Sequence, residues 1–208
     1  PIEELKNKRV AETAAPISAE SEICRARECE MGDLVADAML SRVKDQGVSI
    51  AIQNGGGLRA SIDAGPISMG EVLNVLPFQN TLATFQVTGA DIVVALENGA
   101  SQIEKGAGRF AQVAGLKYTV DPAAPAGARV SEVLVAKGRD WVPIDLAAVY
   151  GVVSNNYMRS GGDGYKIFET KGQNAYDFGP DLAEVLADYL ARQGPGFTPK
   201  IDGRITVK

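Results

Sequence analysis

Two aromatic residues, Phe78 and Tyr157, stand in polar, turn-rich surroundings, as Leu76-Pro77-Phe78-Gln79-Asn80 and Asn155-Asn156-Tyr157-Met158-Arg159. An aromatic face at a strand exit can stack a nucleobase, and each such stack is worth roughly 1–3 kcal/mol. Asp163, in Gly161-Gly162-Asp163-Gly164, carries a carboxylate that can accept hydrogen bonds from vicinal hydroxyls. Asn54 and Arg59 bracket Gly55-Gly56-Gly57-Leu58. The first offers a donor and an acceptor, the second a forked cation suited to phosphate or carboxylate. These groups can hold a nucleoside, but they have no means of cutting one. The chain has no His and only two Cys, and no run of acids resembles a metal site.

Each residue also has a plainer reading. The three glycines make a tight turn that matches neither the P-loop nor the dinucleotide fingerprint. Asn54 would then satisfy its own loop, and Arg59 would face solvent. Phe78 would be a core side chain, and Asp163 would bond its own turn.

Acids outnumber bases 26 to 21 and the bases are scattered, so the chain lacks the basic stripe that a polynucleotide demands. An apolar content of 45% suffices for a core, and the 208 residues suit one domain. The longest apolar run, Leu146 to Val153, is interrupted by a glycine and is far short of the ~20 residues of a membrane span. Cys24 and Cys29 cannot make a zinc site alone, nor are they spaced as a Cys-x-x-Cys pair. They are either a local disulfide, which requires an oxidising compartment, or two free thiols.

The elements that must position these groups follow from periodicity and punctuation. Residues 1–22 are charged, then Ala-rich, then broken by Pro16, and read as an arm cut from something longer. Residues 31–43 predict an amphipathic helix with Leu34, Val35, Ala38 and Met39 on one face. Val48 to Gln53 alternates as a strand running into Asn54. Ser68-Met69-Gly70-Glu71 is a capping box for a short helix that ends before Pro77. Thr81 to Val87 reads as a strand, and Thr88-Gly89-Ala90-Asp91 caps a helix from Ile92 to Asn98 with Gly99 placed to end it. Further strands are expected at 116–120, 130–135, 148–154 and 201–207, and a last helix from Asp181 to Arg192 after Pro180. Strands and helices interleave without a regular βαβ repeat, so the class is α+β.

Four ordered stretches carry a resemblance over nearly the whole chain: Cys24-Arg25-Ala26-Arg27-Glu28-Cys29-Glu30-Met31-Gly32-Asp33-Leu34, Asn54 to Arg59, Val75-Leu76-Pro77-Phe78, and Asn155 to Tyr165. The chain resembles the C-terminal, substrate-binding domain of the 5'-nucleotidase family. These are periplasmic or cell-surface metallophosphoesterases, among them bacterial UDP-sugar hydrolases and the animal enzyme that hydrolyses AMP. The resemblance implies a four-layer α/β/β/α domain over residues 23–208, with residues 1–22 as the interdomain arm beyond a hinge. It implies that Phe78 and Tyr157 sandwich the base; the second position is usually Phe in that family. It implies that Asp163 receives the ribose hydroxyls, that Arg25, Asn54 and Arg59 lie near phosphate and ribose, and that Asn156 orients the base from its edge. It also implies a Cys24–Cys29 disulfide and a periplasmic or extracellular location.

Catalysis in the family belongs to an N-terminal domain that holds two divalent metals, and this chain, without His, cannot supply that apparatus. The resemblance therefore implies no cofactor here, a nucleoside or nucleotide ligand, and the catalytic domain as partner. The substrate class stays open among nucleoside monophosphates, cyclic nucleotides, UDP-sugars and longer phosphates. The alternative is a binding or structural module with no catalytic partner.

Overall fold

The computed structural model describes residues 2–208; Pro1, the first residue of the expected arm, lies outside them. The rest of that arm is ordered into α1 (Ile2–Asn7) and β1 (Arg9–Thr13), and Ile17 just beyond is fully buried. After α2 (Ser21–Cys24) comes α3 (Glu30–Val43), whose expected face of Leu34, Val35, Ala38 and Met39 is buried. Next is β2 (Ile50–Asn54), buried along its whole length, and β3 (Gly65–Ser68), which pairs antiparallel with β1.

Helix α4 (Met69–Val75) carries the expected capping box, with the Ser68 hydroxyl accepting from the Glu71 amide and the Glu71 carboxylate accepting from the Ser68 amide. Strand β4 (Leu82–Thr88) leads into α5 (Gly89–Ala100), capped by Thr88 and Asp91 in the same way. Gly99 does not end this helix. It is a buried helical residue, and an added Cβ would sit 2.9 Å from the Tyr165 hydroxyl and 3.1 Å from the Arg109 carbonyl. The glycine serves close packing there, a requirement that sequence spacing does not distinguish from a stop signal.

The chain continues through β5 (Ala111–Ala114), β6 (Leu116–Val120), β7 (Val130–Lys137), β8 (Asp140–Pro143) and β9 (Val149–Asn155). Two short helices follow, α6 (Asn156–Arg159) and α7 (Lys166–Lys171), then β10 (Gln173–Tyr176), α8 (Leu182–Gln193) and β11 (Ile205–Val207). The final strand begins later than periodicity suggests. The Glu28 carboxylate takes the amides of Asp202 and Gly203, which removes them from any ladder.

The strands form a five-stranded sheet in the order β10-β4-β9-β2-β5, a four-stranded sheet β11-β6-β7-β8, and the β1-β3 pair. One apolar core joins α3, α4 and α8 to one face of the larger sheet through Ala51, Ala114 and Val153. The other joins the opposite face, through Ile50, Ile52, Phe85 and Val152, to α5 and the smaller sheet. This is the α+β class in the four-layer α/β/β/α arrangement. Within the larger sheet β2 and β9 are parallel neighbours, so their C-terminal ends, Asn54 and Asn155, emerge side by side. Open sheets present their ligand sites at such strand ends.

Candidate functional site

Beside these strand ends lies a cleft of about 580 Å³. It is lined by Arg25, Asn54, Arg59, Phe78, Tyr157 and Asp163, together with Gly56, Gly57, Asn80 and Gly108. All the residues singled out as ligand-binding except Asn156 thus meet at one surface, although they come from stretches far apart in the chain.

Phe78 is 56% exposed, so it is not a core side chain. It sits in the bend between α4 and β4, and the Arg59 guanidinium carbon lies 5.8 Å from its ring centroid. Arg59 is anchored through its own backbone, whose amide donates to the Val75 carbonyl at 2.9 Å. Tyr157 stands on α6, whose first turn is held by Asn155: the Asn155 Oδ1 accepts from the Met158 amide at 2.8 Å. At 47% exposure its ring is likewise open to the cleft. The ring lies flat against Gly162, where an added Cβ would fall 2.5 Å from it. Glycine at this position lets the ring keep its place.

Asp163 adopts a left-handed φ of 54° between Gly161 and Gly164, both also left-handed. Its Oδ2 accepts from the Asn54 Nδ2 at 2.8 Å and its Oδ1 from the Tyr157 hydroxyl at 3.0 Å. Burial, and then the Asp163 carboxylate itself, hold the Tyr157 phenol above its usual value, so it stays a protonated donor at neutral pH. Behind Asn54 lies an amide network that sequence reasoning missed. The Asn155 Nδ2 donates to the Asn54 Oδ1 at 2.9 Å and to the Gln53 Oε1 at 3.1 Å, while the Gln53 Nε2 donates to the Asn54 Oδ1 at 3.2 Å. Asn54 Oδ1 is thereby fixed as the acceptor, which turns Nδ2 toward Asp163. The available signal was a pair of polar doublets, Gln53-Asn54 and Ser154-Asn155, each following apolar residues at the buried C-terminal end of a strand.

The glycine run forms a single 3₁₀ turn, but its amides are not all free for a ligand. Gly55 N–H donates to the Phe110 carbonyl and Gly56 N–H to the Gly108 carbonyl, each at 2.8 Å. The turn instead needs glycine for contact: a Cβ on Gly55 would collide with the Cys24 carbonyl oxygen. Asn156 is not at the cleft, because its Oδ1 accepts from the Thr81 amide at 3.1 Å and secures the start of β4.

Cys24 and Cys29 are joined as a disulfide, which removes the free-thiol alternative. The loop it closes carries Arg25, whose Nη1 donates to the Gly106 carbonyl at 3.2 Å and whose Nε is buried without a partner among the described residues. Gln112, fully buried on β5 and unremarked in the sequence, clamps the same loop. Its Nε2 donates to the carbonyls of Cys24 at 2.9 Å and Arg27 at 2.7 Å, and its Oε1 accepts from the Cys29 amide at 3.2 Å.

The expectation that this chain has no carboxylate cluster fit for a metal, and hence no place for a cofactor, is corrected by the fold. Glu28, Asp33 and Asp202 bring one carboxylate oxygen each to within 4.8 Å of one another. Hard oxygen donors of this kind suit Ca²⁺ or Mg²⁺. Glu28 and Asp33 are near neighbours in the chain, but Asp202 comes from its far end, which is why spacing did not reveal the three together. Arg204 already shares this ground, with Nε 3.0 Å from Asp202 and 3.6 Å from Asp33. None of the three lines the cleft.

The chain is similar to several known proteins. Residues 9–170 match the family model described as the 5'-nucleotidase, C-terminal domain. The trifunctional nucleotide phosphoesterase protein YfkN of Bacillus subtilis is 42% identical over 206 residues, covering 98% of this chain and 14% of that protein. The human 5'-nucleotidase is 30% identical, covering 98% of this chain and 38% of its own length. The crystal structure of a 5'-nucleotidase precursor from Thermus thermophilus superimposes with a TM-score of 0.95 at 43% identity, covering 100% of this chain and 41% of that one. This chain thus spans a minor part of each of these three relatives. With a matched segment of this extent and a fold this close, the chain belongs to the 5'-nucleotidase C-terminal domain family.

Proposed function

We propose that these 208 residues hold the nucleoside part of a phosphate-ester substrate, and that groups outside them break the ester. The observation that carries this reading is the exposure of two aromatic rings, Phe78 and Tyr157, on one cleft that also presents Asp163, Asn54, Arg25 and Arg59. A cleft that gathers two aromatic rings with a few convergent polar groups has the make-up of a small-molecule site, and a base between the two rings uses both. Asp163 is the acceptor for ribose hydroxyls, and the two arginines are the cations nearest a 5'-phosphate. Their contribution is positioning: a substrate fixed by its leaving nucleoside meets the hydrolytic groups at high effective concentration.

The relatives' names describe 5'-nucleotidases and a nucleotide phosphoesterase, which supports this class of substrate. A catalytic domain joined through the N-terminal segment, residues 1–22, completes the enzyme in this reading, with residues 23–208 as the nucleotide-binding domain. Part of that segment, residues 9–13, also belongs to the fold through its pairing with β3. The Cys24–Cys29 disulfide supports a periplasmic or extracellular setting. No helix among the described residues is long and apolar enough to cross a membrane.

An amide-resolved NMR titration of this chain with adenosine and AMP tests the proposal. Shifts converging on the segments of Phe78, Tyr157 and Asp163 are expected with both ligands, with additional shifts around Arg25 and Arg59 for AMP. An absence of shifts at those segments at millimolar adenosine and AMP would overturn it.

A further inference from the structure

We infer that the Tyr157 hydroxyl is a positioning group that presents the Asp163 carboxylate to a vicinal diol, so that one side chain serves the base with its ring and the sugar with its oxygen; this rests on the nucleoside reading above. Asp163 sits in a left-handed turn between glycines, where little else constrains its side chain. Two donors from separate elements hold it. The Tyr157 hydroxyl grips Oδ1 at 3.0 Å and Asn54 Nδ2 grips Oδ2 at 2.8 Å. The Tyr157 oxygen also accepts the Asp163 backbone N–H at 3.2 Å, so it fixes main chain and side chain of the same residue.

An ionised carboxylate has about four lone-pair sites, two per oxygen. One site on each oxygen is filled from within the protein, which leaves a matching pair for a ligand. The two O–H donors of a cis-diol are the complementary fork. Phenylalanine at position 157 would offer a base the same face but would leave Oδ1 unheld. The hydroxyl therefore acts on discrimination between ribosides and nucleosides that lack the diol, separately from stacking.

The Tyr157→Phe variant of this chain separates the two functions, because it removes one oxygen and keeps the ring. Dissociation constants for adenosine and 2',3'-dideoxyadenosine, measured by calorimetry or NMR on both proteins, give the readout. The expected result is that adenosine affinity falls about fivefold, the scale of one lost hydrogen bond, while dideoxyadenosine affinity stays within about twofold, so the ratio between the ligands contracts. A thermal melt checks that the variant is folded, and Tyr157→Leu should weaken both ligands together. An unchanged ratio in Tyr157→Phe, whether neither ligand or both are weakened, would overturn the inference while leaving the nucleoside site standing. If wild-type protein bound neither nucleoside, the site itself would be disproved and the inference with it.

Discussion

The side-chain amide of Asn54 donates to the Asp163 carboxylate at 2.8 Å, joining two glycine-rich turns 109 residues apart in sequence. That bond depends on a support deeper in the sheet. Asn155, fully buried, uses Nδ2 to fix the Asn54 oxygen and Oδ1 to cap the helix bearing Tyr157. Asn155→Ala leaves the buried Gln53 Oε1 without its donor, takes one of two donors from the Asn54 Oδ1 and removes a cap in one step. A loss of about 1–3 kcal/mol in unfolding free energy by urea titration is expected, together with weaker adenosine binding. A variant as stable as the parent would show that the amide network is not a structural support.

Phe78→Ala separates a ligand platform from core packing. With the ring 56% exposed, its removal should cost well under the ~3–5 kcal/mol of a buried Phe truncation. Phe85→Ala, on a ring only 2% exposed, should show that full core cost. The ranking should reverse for adenosine affinity, which drops roughly tenfold or more in Phe78→Ala from the loss of one stacking face. Urea denaturation and calorimetry on the two variants check both halves.

Much of the architecture was readable because its signals are local. Capping boxes at Ser68 and Thr88 and the amphipathic faces of α3 and α8 need only neighbours a few residues away. The cleft residues were readable by type, through their likeness to a known pattern. What escaped depends on contacts that only folding creates. Gln112 has no sequence neighbour that hints at the three backbone groups it binds between residues 24 and 29. Glu28, Asp33 and Asp202 converge because the chain's last loop returns to the start of α3. Asn156 departs from its expected place for the same reason: beside Tyr157 in sequence, it nevertheless turns to the amide of Thr81 before β4. The short strands β8 and β10 carry exposed, mixed residues whose pairing partners decide their conformation.

The disulfide loop gives a third prediction. Closing a loop this short limits the unfolded chain modestly, so Cys24→Ser with Cys29→Ser should lower stability by about 2 kcal/mol. Dithiothreitol should do the same to wild type and nothing to the variant. Gln112 still clamps the loop backbone, and Phe78, Tyr157 and Asp163 lie on other segments. Adenosine affinity should therefore stay within about twofold of wild type while the urea midpoint falls.

Asp33 gives a pH dependence whose sign follows from its surroundings. Burial first, and then the adjacent Glu28 carboxylate, push its carboxyl up from 3.8 to about 9, against the pull of Arg204. Between those two values the folded protein keeps a proton that the unfolded chain releases. The contribution to stability is therefore complete below the unfolded value near 3.8 and is lost progressively as pH rises toward 9. Asn at this position has no proton to lose. Unfolding free energies of wild type and Asp33→Asn, measured in EDTA from about pH 5 to 9, should therefore diverge: wild type loses stability relative to the variant as pH rises. Parallel curves across that range would mean that Asp33 is ionised in the folded protein, held so by Arg204 3.6 Å away.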